Sequence, residues 1–302
     1  MQGAKKWHHA QQIRLDEFYL LHIIQFMKKI LPPHKTLGST SASLITALLK
    51  QDKIIFNIDD ALKFSKQNRQ AVIKLLHDLL RRKVVARIKS GVYLILQAGQ
   101  EHIHLKNWPI IAKALAKPHD YFISYYAAMR LHGMTTHPLF NIQITSSKRR
   151  RDKSFSNIDY HFIYCAPKHF WGNEKRWVTK QNNVLVSDLE RTILDSLERP
   201  ELCGGLKEII RGIWSKHKDI DTKKLIAYSI KYRTRAPIQR LAYILETLNL
   251  HTELLKPLQK ITASAQSYIL FDPSGKKIGK YLSKWHIQLN FNIDELKASI
   301  WE

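Results

Sequence analysis

The chain has 302 residues, of which 44% are hydrophobic and 10% aromatic, so it holds enough apolar material for a folded core and is not a disordered polymer. This length predicts two or three domains. Forty-nine lysines and arginines stand against 25 acidic residues, and the net charge of +24 favours a polyanionic partner. Nucleic acid is the leading candidate, ahead of an anionic membrane surface and of the ribosome.

The spacing of the two cysteines and the composition of the first residues predict the cellular compartment. Cys165 and Cys203 are 38 positions apart and neither belongs to a CxxC pair, which is typical of a reducing environment rather than of a disulfide framework. The first residues lack the apolar stretch of a secretory signal. We therefore expect a soluble, cytoplasmic protein.

The chain begins with a basic extension, residues 1–38. Apolar residues recur there at helical spacing between Asp16, a suitable N-cap, and Pro32, which ends the pattern. Residues 1–96 as a whole carry 17 lysines and arginines and six acidic residues. Positive charge is therefore denser in the first third of the chain than in the rest.

Residues 39–97 predict three short helices followed by a β-hairpin. The third helix, for which Ser65 is the expected N-cap, repeats its apolar residues at the spacing of one buried face. The runs VVARI and VYLIL then flank a tight turn at Gly91. This order of elements is that of a winged helix-turn-helix.

The remainder is predicted as a helical connector, residues 98–118, and a mixed α/β domain, residues 119–302. YFISYYAAMRLHGM is interpreted as a helix ending at Gly133, and NIQITS and DYHFIYC as strands around a basic loop. NNVLVSDLERTILDSL predicts a strand entering a helix, with Ser187 and Glu190 at capping-box spacing. Helices then dominate, and two strand-like runs flank DPSG. The predicted fold class is α+β and mostly helical, with an N-terminal winged helix-turn-helix and a larger mixed α/β C-terminal domain.

The winged module supplies the predicted DNA contacts. Its recognition helix would lie in the major groove, where Gln67, Asn68 and Arg69 would read base edges. The other contacts predicted in this module are Lys66, Gln70, Lys74, Arg87, Lys89 and Ser90. An ordinary solvated helix face, or a winged helix that binds protein, would carry similar residues.

A second basic cluster lies between two predicted strands. Lys148, Arg149, Arg150 and Arg151, with Lys153 nearby, would bind phosphates and steepen the salt dependence of binding. A solvated loop that keeps the protein in solution is the alternative. Aromatic residues around 121–126 and 160–171 could stack on single-stranded bases, although packing in the core is the favoured interpretation.

Catalytic signatures are weak. Asp188, Glu190 and Asp195 could act as acid–base or metal groups, but helix capping and an internal ion pair with Arg191 explain them better. The 15 histidines lack zinc-ligand spacing, and DPSGKKIGK lacks the order of a phosphate-binding loop. We therefore expect no catalysis, no metal and no cofactor.

Six strings follow one another along the chain: KSGVYLI (89–95), SYYAAMRLHGM (124–134), IQITSSKRRR (142–151), SDLERTILD (187–195), CGGLKEIIRG (203–212) and QRLAYILE (239–246). Taken in this order, they resemble the AbiEi family of antitoxins from type IV toxin–antitoxin and phage-defence operons. The resemblance implies a winged helix that binds inverted repeats at its own promoter and represses the operon. It also implies a nucleotidyltransferase-like toxin as a functional partner without a stable complex. The extension 1–38 departs from the family pattern and leaves the pairing with a toxin gene open.

The expected function is therefore that of a sequence-specific, double-stranded DNA-binding transcriptional regulator, the antitoxin and autorepressor of its operon. A nucleic-acid-processing enzyme, nuclease or nucleotidyltransferase, that uses Asp188, Glu190 and Asp195 is one alternative. An RNA-binding or protein-binding adaptor is another. Metal-dependent turnover would indicate the enzyme, and a preference for structured RNA over duplex DNA would indicate an RNA-binding adaptor.

Overall fold

The structure, a computed structural model, describes residues 37–96, 103–139, 141–265 and 267–294, together with 297 and 300. The chain divides into two compact units, residues 1–115 and residues 116–302. Its class is α+β, as the sequence predicted. The helix predicted after Asp16, and nearly all of the extension 1–38, lie outside the described residues.

The first unit combines helices with a small antiparallel sheet. Its elements are α1 (Ser39–Lys50), β1 (Ile55–Asn57), α2 (Ile58–Ser65), α3 (Arg69–Arg81), β2 (Val85–Lys89) and β3 (Val92–Ile95), and α4 (Ile103–Ala116) follows across the boundary. β3 lies between β1 and β2 and is antiparallel to both. The three short helices and the hairpin expected from the apolar spacing are present.

The core of the first unit is built from the apolar faces of its helices and strands. Leu44, Ile45 and Leu48 of α1 are completely buried. They share one cluster with apolar residues of α3 and with Phe56 of β1. The Phe56 ring stacks on Tyr93 of β3 at 5.7 Å, which ties β1 to the hairpin.

The second unit begins with a mixed six-stranded sheet. Its strands are β4 (Tyr121–Ile123), β5 (Asn141–Ser146), β6 (Lys153–Phe155), β7 (Ile158–Tyr164), β8 (Asn173–Trp177) and β9 (Asn183–Ser187), and α5 (Tyr125–His132) follows β4. The order across the sheet is β6-β7-β5-β4-β9-β8, with parallel pairs β5–β7 and β4–β9 and antiparallel pairs elsewhere.

The start of this sheet corrects one prediction. Tyr121–Ile123 is a strand, so the helix predicted for this segment begins only at Tyr125. Tyr121, Phe122 and Ile123 are all buried because β4 is a central strand with neighbours on both sides. Pairing with distant strands overrides the local pattern here. The predicted end of the helix at Gly133 is right, since this residue adopts a left-handed φ of 70° as the C-terminal cap.

Helices and a small sheet complete the second unit. They are α6 (Leu189–Glu198), α7 (Leu206–Lys216), α8 (Thr222–Lys231), α9 (Ala236–Thr247), α10 (Leu255–Thr262), β10 (Ile269–Leu270), β11 (Lys280–Leu282) and β12 (Ile287–Leu289). One strand, β10, precedes DPSG and two strands, β11 and β12, follow it; β12 lies between the other two and pairs with both. No helix in the described part of the chain is long and apolar enough to cross a membrane.

Candidate nucleic-acid interface

The turn between α2 and α3 sets the position of the predicted recognition residues. α2 ends where Lys66 adopts a left-handed φ of 55°, and α3 begins after Asn68. The Asn68 side-chain oxygen accepts a hydrogen bond from the Ala71 backbone N–H at 2.9 Å, so Asn68 is the N-cap. The prediction of Ser65 as the cap is wrong, because Ser65 is the last residue of α2. Gln67 therefore lies in the turn rather than on the helix.

Five consecutive polar residues at this turn are exposed to solvent. Lys66 to Gln70 are all exposed, whereas Val72, Leu76 and Leu79 on the opposite side of α3 are buried in the core. Lys74, one turn further along the helix, is also exposed. The core thus fixes the helix, and its other face carries donor-rich side chains.

Ile73, which the sequence pattern did not single out, lies on the same face of α3. Its exposed fraction is 51%, which is unusual for a large apolar residue. It lies between Gln70 and His77, which are both exposed one turn away on either side. The sequence could have identified Ile73, because it is apolar but does not fall in the spacing of the buried face of α3. In a major groove, such a side chain suits contact with a thymine methyl group.

The hairpin adds basic residues to the same unit. Arg87 and Ser90 are exposed, and Lys89 is half-buried. The pairing of β2 with β3 shifts register between Arg87 and Lys89, which marks a bulge next to the turn. The hairpin is anchored by Tyr93, which is buried with its two successors in β3.

Positive charge dominates the described part of the first unit. Residues 37–96 contain eleven lysines and arginines against four aspartates. Two of these aspartates are in ion pairs, Asp60 with Lys53 and Asp78 with Arg81 at 3.0 Å. The excess of positive charge is therefore available to an anionic partner.

The second basic cluster lies in the second unit, on the loop that follows β5. Lys148, Arg149 and Arg151 are exposed, with the Arg149 guanidinium 5.0 Å from the ring centre of Tyr164. Arg150 differs, because it is half-buried, lies 4.5 Å from the Phe162 ring centre and donates to the Ala116 carbonyl. Three of the four predicted residues thus present free surface, and Arg150 helps to hold the loop.

The candidate acidic residues around α6 are engaged in structural bonds. Asp188 caps α6 through the Arg191 N–H at 2.9 Å and accepts from the Tyr228 hydroxyl at 2.8 Å. The predicted capping box of Ser187 and Glu190 is wrong. The Ser187 hydroxyl instead lies 2.8 Å from that of Thr192, and Glu190 accepts from the Asp221 N–H at 2.9 Å. Glu190, in the first turn of α6, thereby links this helix to Asp221, the N-cap of α8.

Charge pairing completes this arrangement. Lys224 of α8 lies 3.2 Å from the carboxylate of Asp188 and 2.9 Å from that of Glu190, and these partners raise its pKa against the opposing effect of burial. Asp195 pairs with Arg191 at 2.8 Å, as expected for the internal ion pair. No group of three or more histidine, cysteine or acidic residues in the described segments could hold a metal ion.

The aromatic residues considered for base stacking are occupied by contacts within the second unit. Phe170 packs edge-on against Phe122 at 5.0 Å, and Trp171 packs against Tyr228 at 4.8 Å. Phe162 lies under Arg150. These contacts favour the interpretation of the cluster as packing.

Comparison with known proteins gives a fold and no family. No protein-family model matches the chain, and no curated protein matches it. The crystal structure of the RV2827C protein from Mycobacterium tuberculosis is similar, with a TM-score of 0.65 at 13% sequence identity over 89% of this chain and 97% of that chain. At this identity the likeness concerns the fold alone.

Proposed function

We propose that the protein is a sequence-specific, double-stranded DNA-binding transcriptional regulator whose first unit is a winged helix-turn-helix. The single observation that supports this proposal is the exposed polar run from Lys66 to Gln70. It lies at the turn and at the beginning of α3, whose opposite face is buried. In a helix-turn-helix this is the part of the recognition helix that meets base edges.

The side chains divide into base readers and phosphate contacts. Arg69 has the planar fork that pairs with two acceptors of guanine, and Gln67 and Gln70 have the amide that suits adenine. Asn68 uses its oxygen as the helix cap, so only its amide N–H groups are available to a base. Lys66 and Lys74 would bind phosphates, which position the helix without reading sequence.

Further phosphate contacts are assigned to the hairpin and to the loop after β5. Arg87 and Ser90 are exposed on the hairpin, and Lys148, Arg149 and Arg151 are exposed on the loop. Each phosphate contact releases condensed counterions, so binding should weaken steeply with salt.

The biological role that we propose is that of antitoxin and autorepressor of a type IV toxin–antitoxin operon. The support for it is the ordered set of AbiEi-like strings between KSGVYLI (89–95) and QRLAYILE (239–246). The partner would be a nucleotidyltransferase-like toxin that is countered without a stable complex. A gene for such a toxin next to this reading frame would support the role.

The experiment is a binding titration of the full chain against duplexes from the region upstream of its own gene. We expect a dissociation constant of about 10⁻⁸ M or tighter for the operator, and a footprint on inverted repeats. Raising the salt from about 50 to 200 mM should weaken binding by about 10³-fold or more. Structured RNA of equal length tests the adaptor alternative, and tighter binding to it would refute the proposal.

Variants separate base reading from phosphate binding. Arg69→Ala should cost about 1–3 kcal/mol on the operator and relax base preference at one position. Arg149→Ala should weaken all duplexes alike and lower the salt slope by about one. Arg211→Ala, an exposed arginine of α7 outside the assigned contacts, is the charge-matched control. Equal effects of all three variants would show that only the total charge matters.

A further inference from the structure

A cavity of about 290 Å³ lies in the second unit, and it plays no part in the proposed DNA binding. Thr145 of β5 and Ile163 of β7 line it, and they are direct partners in the parallel pair of strands. Residues of α6 and of the segment that follows α8 form other parts of the wall. The volume is close to the lower end of small-molecule sites, about 300 Å³, so a ligand must be small.

Two charged residues of α6 and the residue that caps its end line this cavity. Arg191 and Asp195 are one turn apart on the same face of the helix, and Arg199 is the C-terminal cap directly after Glu198. Arg233, on the segment after α8, is the third arginine of the lining. Guanidinium groups therefore line the cavity from two segments of the chain, α6 with its C-terminal cap and the segment after α8.

Arg191 is held rigidly before any ligand binds. Its exposed fraction is 7%, and its Nε donates to Asp195 at 2.8 Å. Its Nη1 donates to the backbone carbonyls of His169 and Trp171 at 3.2 and 3.4 Å. The guanidinium carbon lies 4.3 Å from the Trp171 ring centre and 5.4 Å from that of Tyr232. A group fixed in this way loses little entropy when it binds a ligand.

The lining has an excess of positive charge. The lining residues, all of which are described, include three arginines and one carboxylate, that of Asp195, whereas Glu201 and Glu198, the partners of Arg199 and Arg233, are not among them. Burial raises the pKa of the Cys165 thiol and of the Tyr232 hydroxyl, so both are neutral near pH 7.

The two outer arginines can change partners. Arg199 pairs with Glu201 at 2.9 Å and Arg233 with Glu198 at 3.5 Å, and the exposed fractions of the two arginine side chains are 40% and 54%. Ion pairs with such exposed members contribute little to stability, so an anion can compete for both arginines.

We propose that this cavity binds a small phosphate monoester no larger than a nucleoside monophosphate. The planar forks of Arg199 and Arg233 match the oxygens of a phosphate better than a point charge would, and Arg191 adds a fixed positive charge beside them. Tyr125 adds a hydroxyl group to the lining. The remaining volume receives the organic part of the ligand.

The test is calorimetric titration of the full chain with inorganic phosphate, with the four nucleoside monophosphates and with adenosine. We expect saturable binding of one phosphate-bearing ligand per chain and no binding of adenosine. Inorganic phosphate that binds as tightly as the nucleotides would identify the phosphate as the recognised group. Tighter binding of one nucleotide would identify a nucleoside pocket beside it. Adenosine that binds as tightly as its monophosphate, or no saturable binding of any probe, would overturn the proposal.

Variants assign the binding to the cavity. Arg199→Ala and Arg233→Ala should each weaken binding about tenfold, because each removes a charge-assisted hydrogen bond to the phosphate. Both arginines are substantially exposed, so their loss should leave the fold intact, which circular dichroism checks. Arg211→Ala is the control with the same charge change. Equal weakening by the control would show adventitious binding to a basic surface and would overturn the proposal.

Discussion

The replacement Asp195→Asn should destabilise the second unit strongly. Asp195 is 2% exposed, and one of its carboxylate oxygens accepts from the Arg191 Nε at 2.8 Å and from the Tyr232 hydroxyl at 2.7 Å. Asparagine keeps nearly the same shape but removes the negative charge. The Arg191 guanidinium would then be a buried cation without a counter-ion.

The expected magnitude follows from this burial. Removal of one partner from a buried ion pair costs about 3–5 kcal/mol. Asparagine retains an acceptor oxygen and Arg191 keeps its two carbonyl partners, so we expect the lower end, about 3 kcal/mol. In a unit of this size each kcal/mol shifts the melting temperature by about 2–4 °C, which gives a decrease of about 6–12 °C.

Urea unfolding followed by tryptophan fluorescence is a suitable assay, because Trp171 stacks on Arg191. Glu201→Gln is the matched control, since it removes an exposed pair with Arg199 and should cost less than about 1 kcal/mol. The double replacement Arg191→Met/Asp195→Leu should recover much of the loss, because no charge is left buried. An Asp195→Asn protein as stable as the control would refute the reasoning.

Three further predictions concern a helix cap, a histidine and two glycines. Asn68→Ala should destabilise α3 by about 1 kcal/mol and Asn68→Ser by much less, because serine also caps; equal unfolding midpoints of the two variants in urea would contradict this. Burial, followed by the nearby Arg176 charge, lowers the pKa of His132 below 6.5 in the folded state, so the unfolded chain binds a proton first. Stability should therefore be complete above this value and fall as the pH falls below it, by at most about 1.4 kcal/mol per pH unit, and a melting series should show a flatter profile for His132→Gln. Gly172 and Gly133 have almost the same φ, 69° and 70°, but an added Cβ meets Arg191 at 3.0 Å only at Gly172. Gly172→Ala should therefore lower the melting temperature more than Gly133→Ala, and equal decreases would show that the backbone conformation alone decides.

The choice of cap for α3 illustrates what local sequence leaves open. Ser65 and Asn68 are both good capping residues, three positions apart. The left-handed Lys66 ends α2 at Ser65 and moves the start of α3 to Arg69. This shift converts part of the predicted helix into an exposed turn. The sequence could identify the polar run but not its exact conformation.

The cavity depended even more on tertiary structure. The sequence shows Arg191, Asp195 and Arg199 at helical spacing, and we interpreted the first two only as an internal ion pair. The spacing predicts a shared face but not what faces it. Two parallel strands and the end of α8 close the space around these side chains. Arg233 and Tyr125 join them from positions far away in the chain.

The sequence by itself determined the α+β class, the order of helices and hairpin in the first unit, and the buried stripe of α3. These features depend on apolar spacing over a few residues, which one helix or hairpin expresses locally. Only the tertiary structure decided that Tyr121–Ile123 is a central strand, that β12 separates two other strands, and that three arginines share one cavity. Those outcomes depend on contacts between residues that are distant in sequence. A pattern within a short stretch of sequence gives no information about such contacts.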